Sequence, residues 1–234
     1  MKPDNARKGI ACSAAGAVCW GLSGVCSQYL FTYYELDAGW LTAVRMLLSG
    51  VALLAFALPS GPRHMTGIFR SRTDVLWLLA FALVGLLLCQ YTFLAAIEHS
   101  NSATATVLQS LNVVMMALLM AVRHRRGLRR SQVLALLFAV GGTFLVATHG
   151  NPSAMVISGA GLAFGLISAL GVVTYTLLSR PIIERWGNAL VTGWGMLIGG
   201  AVLGTATRVW LIPANLDLMA VLLIAVIVIV GTAG

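Results

Sequence analysis

Amide, hydroxyl and aromatic side chains interrupt several long apolar stretches of this 234-residue sequence. They are Trp20, Ser23, Gln90, Tyr91, Thr106, Gln109, Asn112 and Tyr175. Gln109 lies three residues after Thr106 and three before Asn112, so these three share one face of a helix. Trp20 and Ser23 have the same spacing. Such groups could line a cavity for a small amphipathic solute, or they could join helices through hydrogen bonds worth about 0.6 kcal/mol on average.

Arg45 is a charged side chain inside the apolar segment TAVRMLLSGVALL, residues 42–54. If a helix begins near residue 39, Arg45 lies ~9 Å inside it, since each residue adds 1.5 Å. A guanidinium at that depth is costly unless it extends to the surface, pairs with an acid or faces a wet cavity. Glu35 and Asp37, just before the segment, are candidate partners. A structural role and a role in a substrate pathway both stay open.

Acidic residues and catalytic motifs are scarce. The acids all lie near the ends of apolar stretches: Asp4, Glu35, Asp37, Asp74, Glu98, Glu184 and Asp217. Proton relays usually place an acid at mid-membrane, so coupling through a deep acid has no support. The sequence holds no phosphate-binding glycine loop, nucleophile elbow or metal-ligand cluster. We therefore expect no enzymatic activity, no cofactor and no metal site.

The amino-acid composition indicates the class of protein in which these side chains lie. Hydrophobic residues make up 59% of the chain, charged residues only 9%, and the mean hydropathy is +0.91. Soluble domains carry roughly 25% charged residues, so the chain is read as an integral membrane protein. Abundant small residues favour an all-α helical bundle over a barrel. Apolar runs that approach the length needed to cross ~30 Å of hydrocarbon lie at about 9–31, 39–58, 75–97, 102–122, 131–148, 157–178, 188–208 and 218–234.

Positive charge alternates along these eight predicted spans. Lysine and arginine precede span 1, separate spans 2 and 3, separate spans 4 and 5, and follow span 6, whereas the other connections are acidic apart from Arg208. Cytoplasmic loops are rich in Lys and Arg, so the N-terminus is predicted to be cytoplasmic. The basic stretch RHRRGLRR, residues 123–130, is interpreted as a topology determinant and not as a nucleic-acid site.

An internal repeat is visible at an offset of 150 residues. TAVRMLLSGVALL, residues 42–54, matches TGWGMLIGGAVLG, residues 192–204, at a threonine, a methionine, a glycine and two leucines. The match divides the chain into 1–150, with spans 1–5, and 151–234, with spans 6–8. A repeat of five spans enters the membrane from the opposite side the second time, which is typical of alternating-access transporters. The alternative is chance similarity between apolar segments. Gly195 occupies the position of Arg45, so the arginine belongs to one half only.

Four longer motifs resemble a known family: AVCWGLSGVCSQYL, LTAVRMLLSG, TFLAAIEHSNSATATVLQSL and GGTFLVATHGNP. They resemble the EamA family of the drug/metabolite transporter superfamily, in particular its YicL-like bacterial inner-membrane members. The resemblance implies ten helices in two inverted five-helix repeats, a central cavity, and export of amino acids, metabolites or drugs. Trp20 stands where the family usually keeps an aromatic residue. Val113 replaces a proline of helix 4, which puts the expected bend of that helix in doubt, and the sequence ends within what would be helix 8.

The leading hypothesis is a multi-pass inner-membrane transporter that moves a small organic metabolite or drug-like solute, in the direction of export, by alternating access. The substrate-binding candidates are Trp20, Ser23, Arg45, Gln90, Tyr91, Thr106, Gln109, Asn112 and Tyr175. The expected partners are a small-molecule substrate and the lipid bilayer, with no nucleic acid, and a homodimer is a candidate assembly. The alternative is a truncated, non-transporting remnant or scaffold subunit that needs a partner, since the last apolar run stops at Gly234 without a polar flank.

Overall fold

The computed structural model describes residues 3–58, 62–125, 127, 130–148, 158–212 and 216–233. These residues form helices and no strand, which confirms the all-α class. The helices are α1 (Pro3–Tyr34), α2 (Ala38–Ala57), a short α3 (Pro62–Gly67), α4 (Arg72–Glu98), α5 (Ser102–Arg123), α6 (Arg130–Thr148), α7 (Gly159–Trp186), α8 (Asn188–Thr207) and α9 (Leu218–Ala233). The predicted repeat boundary at 150–151, residues 126, 128 and 129 of the basic stretch, and Gly234 lie outside the described residues.

Five of these helices, α2, α4, α5, α7 and α8, are long and apolar enough to cross a membrane, and α6 and α9 contain shorter apolar segments. Each of the eight predicted spans overlaps one long helix. Large apolar side chains such as Phe138 and Leu218 are exposed on the outer faces, as expected for helices surrounded by lipid. The main difference is that α7 continues to Trp186, about two turns beyond the predicted end of its span.

Polar contacts at one end of the bundle explain that extension. Asp74, near the start of α4, accepts a hydrogen bond from Arg185 Nη1 at 3.1 Å and another from Trp186 Nε1 at 3.2 Å. Trp194 Nε1 donates to the Met65 carbonyl at 3.1 Å. The end of α7 is therefore held against α4, and the short α3 is held against α8.

Contacts at the opposite end join the other connections. The Tyr34 hydroxyl donates to Asp217 at 2.7 Å, and Ser158 Oγ donates to the His99 carbonyl at 2.8 Å. Hydrogen bonds from the Ala220 N–H and then from Tyr34 hold the pKa of Asp217 below its ordinary value. The segments predicted to lie outside the cytoplasm thus meet at one end of the molecule.

Helices α2 and α8 approach each other closely through glycines. A methyl group added at Gly50 would lie 2.8 Å from Leu197 Cγ and 2.9 Å from its backbone nitrogen. A methyl group added at Gly200 would lie 3.0 Å from both the Cγ and the backbone nitrogen of Leu47. The two contacts are reciprocal and run in opposite directions along the chain, so α2 and α8 are antiparallel. Small residues permit this backbone approach between membrane helices.

Helices α4 and α7 also meet across glycines. The α4 backbone widens into a π-helical segment at Phe81–Leu87, and a methyl group added at Gly85 within it would lie 2.9 Å from Tyr175 Cα. One turn further along α4, a methyl group added at Gly171 of α7 would lie 2.8 Å from Cys89 Cα. Helix α9 packs against α1. The third long helix of each predicted repeat therefore contacts the first long helix of the other.

Helix α5 is interrupted although it lacks the family's proline. Its α-helical ladder breaks at Leu111, whose N–H donates to the Leu108 carbonyl at 3.2 Å. The Asn112 side-chain amide donates to the Gln109 carbonyl at 2.7 Å, so a side chain competes for a backbone acceptor at this turn. The irregular turn thus forms with Val113 in place of proline.

Candidate functional site

Arg45 is enclosed inside the bundle. Asp37 begins α2 by accepting a hydrogen bond from the Trp40 N–H at 3.0 Å, and Arg45 follows two turns later with 2% of its surface exposed. Its Cζ lies 5.3 Å from the centre of the Trp20 ring. Nη2 makes one long hydrogen bond, 3.5 Å, to the Gly231 carbonyl, whereas Nε and Nη1 have no hydrogen-bond partner among the described residues.

The position of Arg45 can be compared with the two structural roles that the sequence suggested, which are extension to the surface and pairing with an acid. A buried guanidinium does not extend to the surface, and none of the salt bridges formed by the described residues includes Arg45. Glu35 and Asp37 are both exposed. Insertion of a central arginine into a membrane helix costs roughly 2.5–3.5 kcal/mol on insertion scales. A cation–π contact returns about 0.5–1 kcal/mol when exposed and about 2 kcal/mol or more when desolvated, and Trp20 is only partly buried. The charge is therefore only partly compensated.

Ser23 and Trp20 complete what we call the arginine cluster: Trp20, Ser23 and Arg45. Ser23 is 2% exposed, and its hydroxyl has no partner among the described residues. A methyl group added at Gly231 would lie 2.8 Å from Arg45 Nη2 and 2.9 Å from Ser23 Oγ, so both polar groups converge on this glycine. The Trp20 ring packs on Phe93, with 5.4 Å between ring centres. The cluster thus joins α1, α2, α4 and α9.

A second group, the glutamine cluster, comprises Cys89, Gln109 and Ser168. Gln109 Nε2 donates to Ser168 Oγ at 2.8 Å, and Ser168 Oγ donates to the Cys89 carbonyl at 3.2 Å. Ser168 is fully buried and Gln109 is 7% exposed. The cluster therefore joins α5, α7 and α4 through hydrogen bonds, which is the interhelical arrangement that the sequence offered as the alternative to solute binding.

The other predicted site residues are dispersed around these clusters. Gln90 is buried and its Oε1 has no partner among the described residues. The Tyr91 ring meets Phe164 edge to face at 6.3 Å, and Thr106 donates to the Ser102 carbonyl of its own helix at 2.7 Å. Tyr175 packs against the π-helical segment of α4 and Asn112 bonds within α5, so neither belongs to the arginine cluster.

Two residues of the arginine cluster's surroundings were not among the predicted site residues. Phe93 supplies the ring beneath Trp20, and Gly231 supplies the surface on which Arg45 and Ser23 converge. Phe93 lies three residues after Gln90, a spacing that places both on one face of α4 and could have identified it. The sequence contains no comparable signal for Gly231, since glycines are frequent throughout the chain.

Three cavities lie elsewhere on the described surface. One of about 590 Å³ is bordered by Trp77, Arg123 and Arg180 at the end that holds Asp74. An apolar groove of about 500 Å³ separates α2 from α9, and a polar cavity of about 390 Å³ lies by Glu35 and Glu98 at the opposite end. The nine predicted site residues border none of these three cavities. Within the described segments, no three His, Cys, Asp or Glu side chains are grouped to hold a metal ion.

The chemistry of the two clusters differs. The arginine cluster presents a fixed positive charge, a hydroxyl and an aromatic face, which together can hold an amphipathic solute by hydrogen bonds and ring contact. The glutamine cluster has its donors already occupied.

Comparison with known proteins agrees with this description. The model of the EamA-like transporter family matches residues 7–148. The chain is 40% identical over 197 residues to an uncharacterized inner membrane transporter, YicL, of Salmonella typhimurium (strain LT2), an alignment that covers 84% of this chain and 65% of that protein. The chain thus spans less than two thirds of the length of this curated relative. No solved structure gives a significant match. From the match over most of its length, the chain belongs to the EamA-like transporter family.

Proposed function

We propose that this protein is a multi-pass inner-membrane transporter, with a cytoplasmic N-terminus, that exports a small organic metabolite or drug-like solute by alternating access. The observation that carries the proposal is the arginine cluster, because Arg45 Nε and Nη1 and the Ser23 hydroxyl are buried between helices of a transporter-family chain and have no partner among the described residues. Ionisable residues within membrane helices are rare and commonly mark substrate or ion pathways.

The reciprocal contacts of α2 and α8 support two inverted repeats, residues 1–150 and 151–234. Gly50 and Leu47 of the first segment meet Leu197 and Gly200 of the second, and each contact is the other displaced by 150 residues. A two-fold axis in the membrane plane produces this reciprocity. The family match ends at residue 148, near the proposed boundary.

Alternating access is supported by the enclosure of both clusters. Neither borders the cavities of the described surface, so a solute can reach Arg45 only after the helices around it separate. The α2–α8 and α4–α7 contacts include glycines at which the helix backbones approach closely. Interfaces of this kind allow the sliding of packed helices that accompanies domain closure and opening.

The proposed roles of the nine candidate residues differ. Ser23, Arg45 and Gln90 carry buried polar groups, and Trp20 carries a partly buried aromatic ring, that a solute could engage directly. Tyr91, Gln109 and Tyr175 contact neighbouring helices, whereas Thr106 and Asn112 bond to backbone carbonyls of their own helix. We propose that these shape the cavity that opens during transport.

Membership of a transporter family favours transport without chemical conversion of the solute. The proposed partners are therefore a small-molecule substrate and bilayer lipid, and we retain a homodimer as the candidate assembly. No cofactor and no nucleic acid enter the proposal.

Flux measurements on the full gene product in lipid vesicles, across a panel of metabolites, test the proposal. We expect flux with at least one solute and a reduction of about tenfold in Trp20→Ala, since a desolvated cation–π contact is worth about 1–2 kcal/mol and 1.4 kcal/mol is a factor of ten. Trp210→Ala is the matched control because this tryptophan is exposed and is not one of the residues that form the cluster. A folded protein without flux for any solute would contradict the proposal and favour a non-transporting scaffold.

A further inference from the structure

We propose that the arginine cluster selects small organic monoanions, specifically monocarboxylates with an apolar or aromatic portion. The inference rests on the proposed transport function and adds the class of solute. It follows from the charge of the cluster, from its hydrogen-bond donors that have no partner among the described residues, and from the aromatic rings beside it.

The charge of Arg45 is not balanced within the described residues. Each acid whose side chain the structure describes is engaged or exposed elsewhere: Asp74 with Arg185, Glu184 with Arg180, Glu98 beside His99, Asp217 with Tyr34, Asp37 at the start of α2, and Glu35 at the surface. Buried charges in proteins are paired or neutralised. An anionic solute would supply the missing charge when it binds.

The donors define the group that would be recognised. Nε and Nη1 of Arg45 and the hydroxyl of Ser23 have no partner among the described residues, and each of these residues is 2% exposed. Arg45 Nη2 and Ser23 Oγ both lie within 3 Å of a methyl position at Gly231, so they converge on one point. A carboxylate has two oxygens that accept such bonds, and guanidinium–carboxylate pairs are among the strongest hydrogen-bonded pairs in proteins.

The single charge and the aromatic wall narrow the class further. Arg45 is the only Lys or Arg that is buried among the described side chains, so a phosphate monoester would bring a second negative charge without compensation. Trp20 lies against the guanidinium and packs on Phe93, so two aromatic rings lie beside the charge and the hydroxyl of the cluster. A monocarboxylate with an apolar portion satisfies both features.

Binding and counterflow with a panel sorted by charge test this inference. The full gene product is reconstituted in vesicles and offered monocarboxylates, neutral amides of the same acids, amines of matched size and phosphate monoesters. We expect transported solutes to concentrate among the monocarboxylates. Arg45→Gln should lower their affinity at least thirtyfold, as expected when one partner of a buried charge pair is removed, and Arg45→Lys should restore part of it. Arg208→Gln, the same charge change at an exposed site, should have no effect.

Gly231→Ala provides a second variant that keeps the charge. Its methyl group would lie 2.8 Å from Arg45 Nη2, so carboxylate affinity should fall while Arg45 remains in place. If Arg45→Gln does not fold, the carboxylate affinities of Arg45→Lys and Gly231→Ala are compared with that of the wild-type protein instead. Flux of neutral or cationic solutes that persists in the Arg45 variants would overturn the anion site and leave the transport function standing. No flux for any solute by the folded wild-type protein would overturn the transport function and the anion site together.

Discussion

At the scale of single residues, two polar side chains that both lie in apolar segments differ in their hydrogen-bond partners. Gln109 and Arg45 both interrupt apolar runs. Gln109 donates to Ser168 between helices, whereas Nε and Nη1 of Arg45 have no partner in the part of the chain that the structure describes. A satisfied group contributes to the stability of the closed bundle, and an unsatisfied one is available to a solute. The two clusters therefore predict different effects of mutation.

The Gln109–Ser168 hydrogen bond should contribute to stability. A double-mutant cycle with Gln109→Ala and Ser168→Ala should give a coupling energy of about 0.6 kcal/mol and at most about 1.7 kcal/mol, the range found between membrane helices. The measurement is reversible unfolding in mixed micelles. Thr174→Ala serves as the control, since its hydroxyl bonds to the Leu170 carbonyl of its own helix. Additive effects of the two substitutions would contradict the contribution of this hydrogen bond.

At the scale of helices, glycines decide how closely α2 and α8 approach. Gly50 and Gly200 each face the backbone nitrogen of a leucine on the opposite helix. No side chain fits between these backbones without moving them apart, so the contact depends on the small residue on each side. Gly195, which takes the place of Arg45 in the second segment, lies instead against the Phe81 ring.

Gly50→Ala and Gly200→Ala should therefore destabilise the protein by similar amounts, about 1–3 kcal/mol each, as overpacking of a close contact does. Similar losses are expected because the two positions are reciprocal. Gly141→Ala in α6 is the matched control, since an added methyl group there meets no atom within 4 Å. It should be neutral or slightly stabilising because alanine is the better helix former.

Thermal unfolding of the purified variants measures these differences. A stable Gly50→Ala variant beside a destabilised Gly200→Ala variant would show that the contacts are not equivalent. That result would remove the main structural support for the inverted repeat.

At the scale of the whole molecule, the charges separate to the two ends of the bundle. The end that holds Asp74 and Arg185 also carries Arg123 and Arg180, whereas the opposite end carries mainly acids, including Asp217. This arrangement matches the alternation read from the connections along the sequence. From the positive-inside rule we propose that the cationic end faces the cytoplasm.

Labelling of single cysteines in intact cells tests that orientation. In a variant without native cysteines, His124→Cys and Glu184→Cys should react only with a membrane-permeant thiol reagent. Glu35→Cys and Asp217→Cys should react with an impermeant reagent added outside. Each of these side chains is exposed at an end of the bundle, so access to reagent reports the compartment and not burial. If His124→Cys and Glu184→Cys are labelled from different compartments, the proposed membrane topology is wrong.

The sequence alone determined the membrane class, the all-α fold and the position of each long helix, because hydropathy and charge are properties summed along consecutive residues. It also identified Arg45, Trp20 and Ser23, since polar groups stand out in apolar runs. The extension of α7 to Trp186 was missed because it depends on Asp74, which is more than a hundred residues away in the chain.

Only the tertiary structure decided which polar side chains meet. Gln109 donates a hydrogen bond to Ser168, 59 residues further along the chain. Arg45 contacts the Trp20 ring and donates to the Gly231 carbonyl. Such side-chain contacts depend on the rotation of each helix about its own axis. Close helix contacts, such as that of Gly50 with Leu197, set this rotation. Hydrophobic periodicity carries little information about that rotation in a membrane helix, because lipid and protein interior are equally apolar.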